Sequence, residues 1–158
     1  MTTTYLLLKL AHILSGAVLF GTGAGIAFFM LSAHRTRDPA AIAAIARIVV
    51  VADFIFTASA VVIQPATGVA LALHLGWSLD APWLLATYAL YALTGACWIP
   101  VVFIQIRMAR LAREAASADM PLPPAYHRLY RLWFALGIPA FLAVLAIYAI
   151  MIARPTFG

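Results

Sequence analysis

The sequence predicts an all-α, polytopic membrane protein built as a four-helix transmembrane bundle. Three observations predict it. Of the 158 residues, 66% are hydrophobic and only 9% are charged, where a soluble domain is about half apolar and a quarter charged. Mean hydropathy is +1.03. Four apolar stretches, residues 5–32, 48–75, 83–106 and 132–152, each approach or exceed the roughly 20 residues that a helix needs to cross a bilayer. Basic residues gather between the first and second stretches and between the third and fourth. Such a chain cannot cover itself with polar surface. This excludes an ordinary soluble enzyme, a disordered chain and a nucleic-acid-binding domain. The length, 17.0 kDa in all, is that of a single domain.

Backbone in lipid must satisfy its own hydrogen bonds, so spans are helices or closed barrels. The four stretches lack strand-like alternation and are too long for barrel strands of about 10 residues. The first stretch has no basic residue ahead of its apolar run and no A-x-A site behind it. It is expected to remain as the first span rather than to be cleaved as a signal peptide. The second contains Gln64-Pro65, the third Trp98-Ile-Pro100 and the fourth Gly137-Ile-Pro139. Proline removes one helical hydrogen bond, so a bend is expected in each. The third linker, 107–131, reads as a continuation of helix three up to residue 118, a break at Met120-Pro-Leu-Pro-Pro124, and a short interfacial helix from Tyr126 that leads into helix four.

The linkers set an orientation. Linker 33–47 carries Arg35, Arg37 and Arg47, and linker 107–131 carries Arg107, Arg110, Arg113, Arg128 and Arg131. The positive-inside rule places both in the cytoplasm, with linker 76–82 and both termini outside a bacterial inner membrane. Trp77, Trp83 and Tyr88 then mark the outer interface, and Tyr126, Tyr130 and Trp133 the inner one. The net charge of +5 is accounted for by this asymmetry. Cys97 is the single cysteine, so no intrachain disulfide can form.

Polar residues inside a span are costly and are functional candidates by default. His12 stands out. Gly16, Gly23 and Ala27 follow it at i+4, i+11 and i+15, close to one helix face. A histidine beside small residues offers a flat ligand an axial nitrogen and room to lie against the helix, as haem b requires. Lys9, one turn nearer the headgroups, suits a propionate. The alternative is a histidine that hydrogen-bonds a neighbouring helix, with glycines serving close packing, as the Gly21/Gly25 pair also suggests. A second axial ligand would have to come from His74, which counts as about 9 Å nearer the surface than His12; otherwise His74 is a solvated interfacial histidine. His34 and His127 lie at the opposite end. Asp53 is expected to pair with Arg47, Arg107 or Arg131, or to carry a proton. Gln64 could cap a carbonyl freed by Pro65 or touch a ligand.

No Walker loop, dinucleotide fingerprint, CxxC, HExxH or serine elbow is present, so side-chain catalysis has no motif to rest on. The working expectation is a haem-binding, redox-linked membrane protein with His12 as the iron ligand. Its rivals are a cofactor-free accessory subunit packed against other membrane proteins and a small transporting or proton-conducting oligomer centred on Asp53 and Gln64.

The chain resembles a family of bacterial integral membrane proteins of unknown function. The stretches that carry the resemblance are Tyr5-Leu-Leu-Leu-Lys9-Leu-Ala-His12, Gln64-Pro65-Ala-Thr67-Gly68, Trp98-Ile-Pro100-Val-Val-Phe-Ile-Gln105-Ile-Arg107-Met108 and Tyr126-His-Arg-Leu-Tyr-Arg131-Leu-Trp133, running on to Gly137-Ile-Pro-Ala-Phe141. It implies four helices and no particular reaction. Helix one also resembles the membrane protoporphyrinogen oxidases of the haem pathway, through Lys9, His12 and His34. That resemblance implies haem b at the early histidine; the later helices lack the rest of that family's pattern.

Overall fold

The computed structural model describes residues 2–155. Five α-helices make four membrane-length rods: α1 (Thr3–Thr36), α2 (Pro39–Ala52), α3 (Ala58–His74), α4 (Pro82–Ser117) and α5 (Pro124–Ala153). One turn of π-helix, Asp53–Thr57, joins α2 to α3, so Pro39–His74 is a single apolar rod. No strand occurs among the described residues.

The helices run further than the apolar stretches. Linker 33–47 shrinks to two residues between α1 and α2. The turn chemistry explains why. Arg37 ends α1 in the left-handed region (φ 58°), its N–H donating to the His34 carbonyl. The Asp38 carboxylate then accepts from the backbone N–H of Ala40 at 2.9 Å and of Ala41 at 3.3 Å. With Pro39 in the first turn, this is a complete helix start. At the other linker α4 carries on to Ser117, as expected. The expected interfacial helix at Tyr126 is continuous with the fourth span, because Pro124 opens α5 in its first turn and nothing interrupts it.

Packing is densest at the arginine-rich end. There Met30, Ile42, Ala46, Val49, Ile104, Met108, Ala112, Tyr126 and Trp133 form the core, drawn from four rods. Elsewhere large apolar side chains such as Phe28, Val62, Phe103 and Leu142 stay exposed, which suits helices whose solvent is lipid. At the opposite end the Arg154 guanidinium lies 4.4 Å from the Trp77 ring and 6.0 Å from the Trp83 ring. Those cation–π contacts hold linker 76–82 to the end of α5.

Candidate functional site

Two polar clusters interrupt the apolar bundle, and both centre on the rod Pro39–His74. The first surrounds His12. Its Nδ1 lies 3.1 Å from the Gln64 carbonyl oxygen and 3.1 Å from Thr67 Oγ1. A carbonyl can only accept, so Nδ1 carries the hydrogen. Thr67 spends its own hydrogen on the Ile63 carbonyl at 2.7 Å, which leaves its oxygen free to accept. His12 Nε2 is then the lone-pair nitrogen and receives the Gln64 amide at 3.4 Å. The Ser15 hydroxyl reaches the Gln64 Oε1 and the His12 carbonyl (3.1 Å). Gly68 permits the approach: a Cβ there would stand 3.0 Å from His12 Cε1.

The expected ligand strip does not survive as one surface. Gly16 is buried, and a Cβ on it would meet the Tyr148 hydroxyl at 3.1 Å and the Gln64 amide nitrogen at 3.3 Å. Gly23 faces open space. Lys9 stands over the Tyr5 ring at 5.6 Å. His74 is exposed, bonded to Thr2 Oγ1 at 3.2 Å and stacked on Tyr5 at 6.1 Å; it belongs to the surface, not to His12. As packed, the lone-pair nitrogen of His12 is met by the Gln64 amide, and Gly16 is covered by Gln64 and Tyr148. Among the described residues, no three His, Cys, Asp or Glu side chains converge as a metal site.

The second cluster surrounds Asp53, 4% exposed. The expected arginine partner is not there. Arg47, Arg107 and Arg131 are all exposed, and the side-chain ion pair found among the described residues is Arg110–Glu114, on the surface of α4. Instead Trp98 Nε1 donates to both Asp53 oxygens at 3.2 Å. Gln105, 3% exposed, takes the amide orientation that satisfies both its neighbours. Its nitrogen donates to Asp53 Oδ2 at 3.3 Å and its oxygen accepts from Trp133 Nε1 at 3.1 Å. The physical reason is desolvation. Burying a guanidinium beside the carboxylate costs several kcal/mol more hydration, whereas long arginines reach the headgroups from any face. An indole brings a donor already wrapped in apolar surface.

Asp53 also opens the π turn. The Ala58 N–H reaches back to the Asp53 carbonyl, one residue further than in an α-helix. The extra residue bulges the rod, and such bulges cluster at functional sites. A polar line continues on the same rod, away from the arginine-rich end. Pro65 has no N–H, which strands the Val61 carbonyl, and the Tyr91 hydroxyl of α4 caps it at 2.6 Å. Gln64, one of whose two expected roles was that cap, turns to His12 instead.

Sequence reading singled out His12, Gln64 and Asp53 one at a time and carried Gln105 only within a family stretch. The structure joins the first two and the last two. It adds Ser15, Thr67 and Gly68 to one cluster and Trp98 and Trp133 to the other. Thr67-Gly68, three and four residues after Gln64, was the available signal: that spacing puts both on the Gln64 face.

An all-helical chain with four membrane-length apolar rods and two interior polar clusters is a polytopic membrane protein. It belongs to the DUF2269 family, described as a predicted integral membrane protein, whose pattern matches residues 6–155. No curated protein and no solved structure matches the chain, so the likeness of α1 to the protoporphyrinogen oxidases stands on Lys9, His12 and His34 alone.

Proposed function

We propose that this is a proton-handling membrane protein whose working group is the Asp53 carboxyl, in a transport-type role. One observation carries the reading: a carboxyl 4% exposed within an apolar rod that is held by neutral donors only. An uncompensated anion in this setting is costly, and taking up a proton removes that cost. The π turn supports it, because it offers a backbone able to shift by one hydrogen-bond register when the charge changes. On this reading the arginine-rich end faces the cytoplasm of a bacterial inner membrane, and both chain ends face outward.

The test is infrared difference spectroscopy of the protein in lipid nanodiscs between high and low pH. A protonated-carboxyl band that appears on acidification and vanishes in Asp53→Asn is the expected result. Identical difference spectra for wild type and Asp53→Asn would reject the proposal.

Haem b ligation by His12 is the second reading. Its support is the Nδ1–H anchored on the Gln64 carbonyl, the outer-shell bond that orients metal-ligating histidines. It requires Gln64 and Tyr148 to swing off Gly16. A Soret band in purified protein that is lost in His12→Ala would establish it; a colourless folded preparation would end it.

A further inference from the structure

Four buried side-chain atoms among the described residues make no hydrogen bond: His34 Nδ1, Tyr126 Oη, Tyr130 Oη and Thr57 Oγ1. They are not scattered. Three sit together at the arginine-rich end, and the fourth lies one turn beyond Asp53. Buried polar groups are nearly always paired, with ordered water where protein does not serve. A run of unpaired hydroxyls and an imidazole nitrogen is a run of places for bridging water.

The side chains between these groups touch one another in sequence. His127 is exposed and packs edge-on against both His34 and Tyr126, with ring centroids 5.9 and 5.6 Å apart. His34, half-buried, stacks face to face on Tyr130 at 3.7 Å. Tyr130 stacks on Trp133 at 5.8 Å. Trp133 bonds Gln105, and Gln105 bonds Asp53. Tyr126, Tyr130 and Trp133 are spaced i, i+4 and i+7, so α5 alone lays them along one face. The array leads from the surface to the buried carboxyl.

From this array we propose that protons reach Asp53 from the arginine-rich face along α5, entering at His34 and passing the Tyr126 and Tyr130 hydroxyls. The inference rests on the proton-handling reading of Asp53 and adds the route. The chemistry balances as proton transfer alone. A proton from bulk water binds an imidazole nitrogen of His34. Hydroxyls and bridging waters then each accept one proton and release another, and the last proton lands on the Asp53 carboxylate. His34 returns to neutral and is ready again. The Trp133 indole and the Gln105 amide hold the carboxyl in place and pass no proton. The charged and titratable groups that act on the entry are His127 from α5 and Arg37 beside α1, with Arg35 acting on Tyr130. Burial first, and then His127 and Arg37, disfavour retention of the proton at His34.

The experiment follows the Asp53 carboxyl band in nanodiscs after a rapid pH jump, with both faces exposed to buffer. Tyr126→Phe and Tyr130→Phe remove only a hydroxyl that bonds no protein atom, and His34→Phe keeps an aromatic ring on Tyr130. As bare unpaired groups, none of these would be missed, and thermal stability should hold or rise. As parts of the route, Tyr126→Phe, Tyr130→Phe and His34→Phe should each slow Asp53 protonation by about tenfold or more, with the equilibrium titration of the band unmoved. Wild-type rates in all three folded variants would overturn the route and leave the Asp53 reading intact. Absence of any Asp53-dependent band in wild type would overturn both.

Discussion

The Tyr91 hydroxyl of α4 donates to the Val61 carbonyl at 2.6 Å, the one carbonyl that Pro65, four residues on, cannot satisfy. A proline placed for shape in one rod is thus completed by a side chain from another. The missing N–H of Pro65 and this α3–α4 contact are one feature. Tyr91→Phe should cost about 1 kcal/mol, between the mean interhelical hydrogen bond in membranes and the penalty for a stranded carbonyl. Pro65→Ala restores the missing N–H, so Tyr91→Phe should cost little in that background. Equal costs in both backgrounds, measured by unfolding in mixed micelles, would show that the hydroxyl is not a substitute for the lost backbone bond.

The two glycines of the His12 strip, together with Gly68, make a graded series. Gly68→Ala places a methyl 3.0 Å from His12 Cε1, and the ring cannot yield without stretching its bond to the Gln64 carbonyl. A loss of about 1–3 kcal/mol is expected. Gly16→Ala meets the Tyr148 hydroxyl and the Gln64 amide and should cost less, since both are ends of movable side chains. Gly23→Ala meets nothing within 4 Å and should stay within about 0.5 kcal/mol. Thermal melts of the three variants check the order.

Asp53 separates an indole-held carboxyl from an ion-paired one. Trp98→Phe removes a donor shared by both carboxylate oxygens and should destabilise by about 1–3 kcal/mol. Arg47→Gln, Arg107→Gln and Arg131→Gln each remove an exposed charge and should change stability by no more than about 0.5 kcal/mol. A large loss in one of the arginine variants, with Trp98→Phe neutral, would restore the salt bridge expected from the sequence.

Orientation is open to a direct measurement. Reporter fusions after Ser78, in the short linker, and after Ser117, at the end of α4, should report opposite compartments, with Ser117 in the cytoplasm. Fusions that agree would break the four-span arrangement. Fusions that differ in the reverse sense would invert the face from which the α5 route is supplied.

Much of the fold was legible in the sequence because hydropathy is a local property. Some twenty apolar residues in a row must become a helix in lipid, whatever the rest of the chain does. Helix ends were less legible. Asp38 caps α2 and Pro39 opens it, yet the arginines around them made residues 33–47 read as a linker. Membership of a family of integral membrane proteins was visible in stretches such as Gln64-Pro65-Ala-Thr67-Gly68, and the described helices fall where those stretches lie.

The sequence by itself determined the four apolar stretches that become membrane-length helices and the end at which the arginines collect, because each depends on composition along a line. It also determined which polar residues lie inside the spans and therefore need partners. Only the tertiary structure decided who the partners are. A helix can present a residue to any neighbour, depending on its rotation and on which rods it touches. Neither is written in the spacing of one helix. So Asp53, read as the mate of an arginine, is held by Trp98 from 45 residues away and by Gln105. His12, read as a ligand over a glycine strip, turns to the carbonyl of Gln64, 52 residues on. The π turn that places Asp53 is likewise a tertiary outcome: one extra residue in the rod is tolerated only where the surrounding helices accept the bulge it makes.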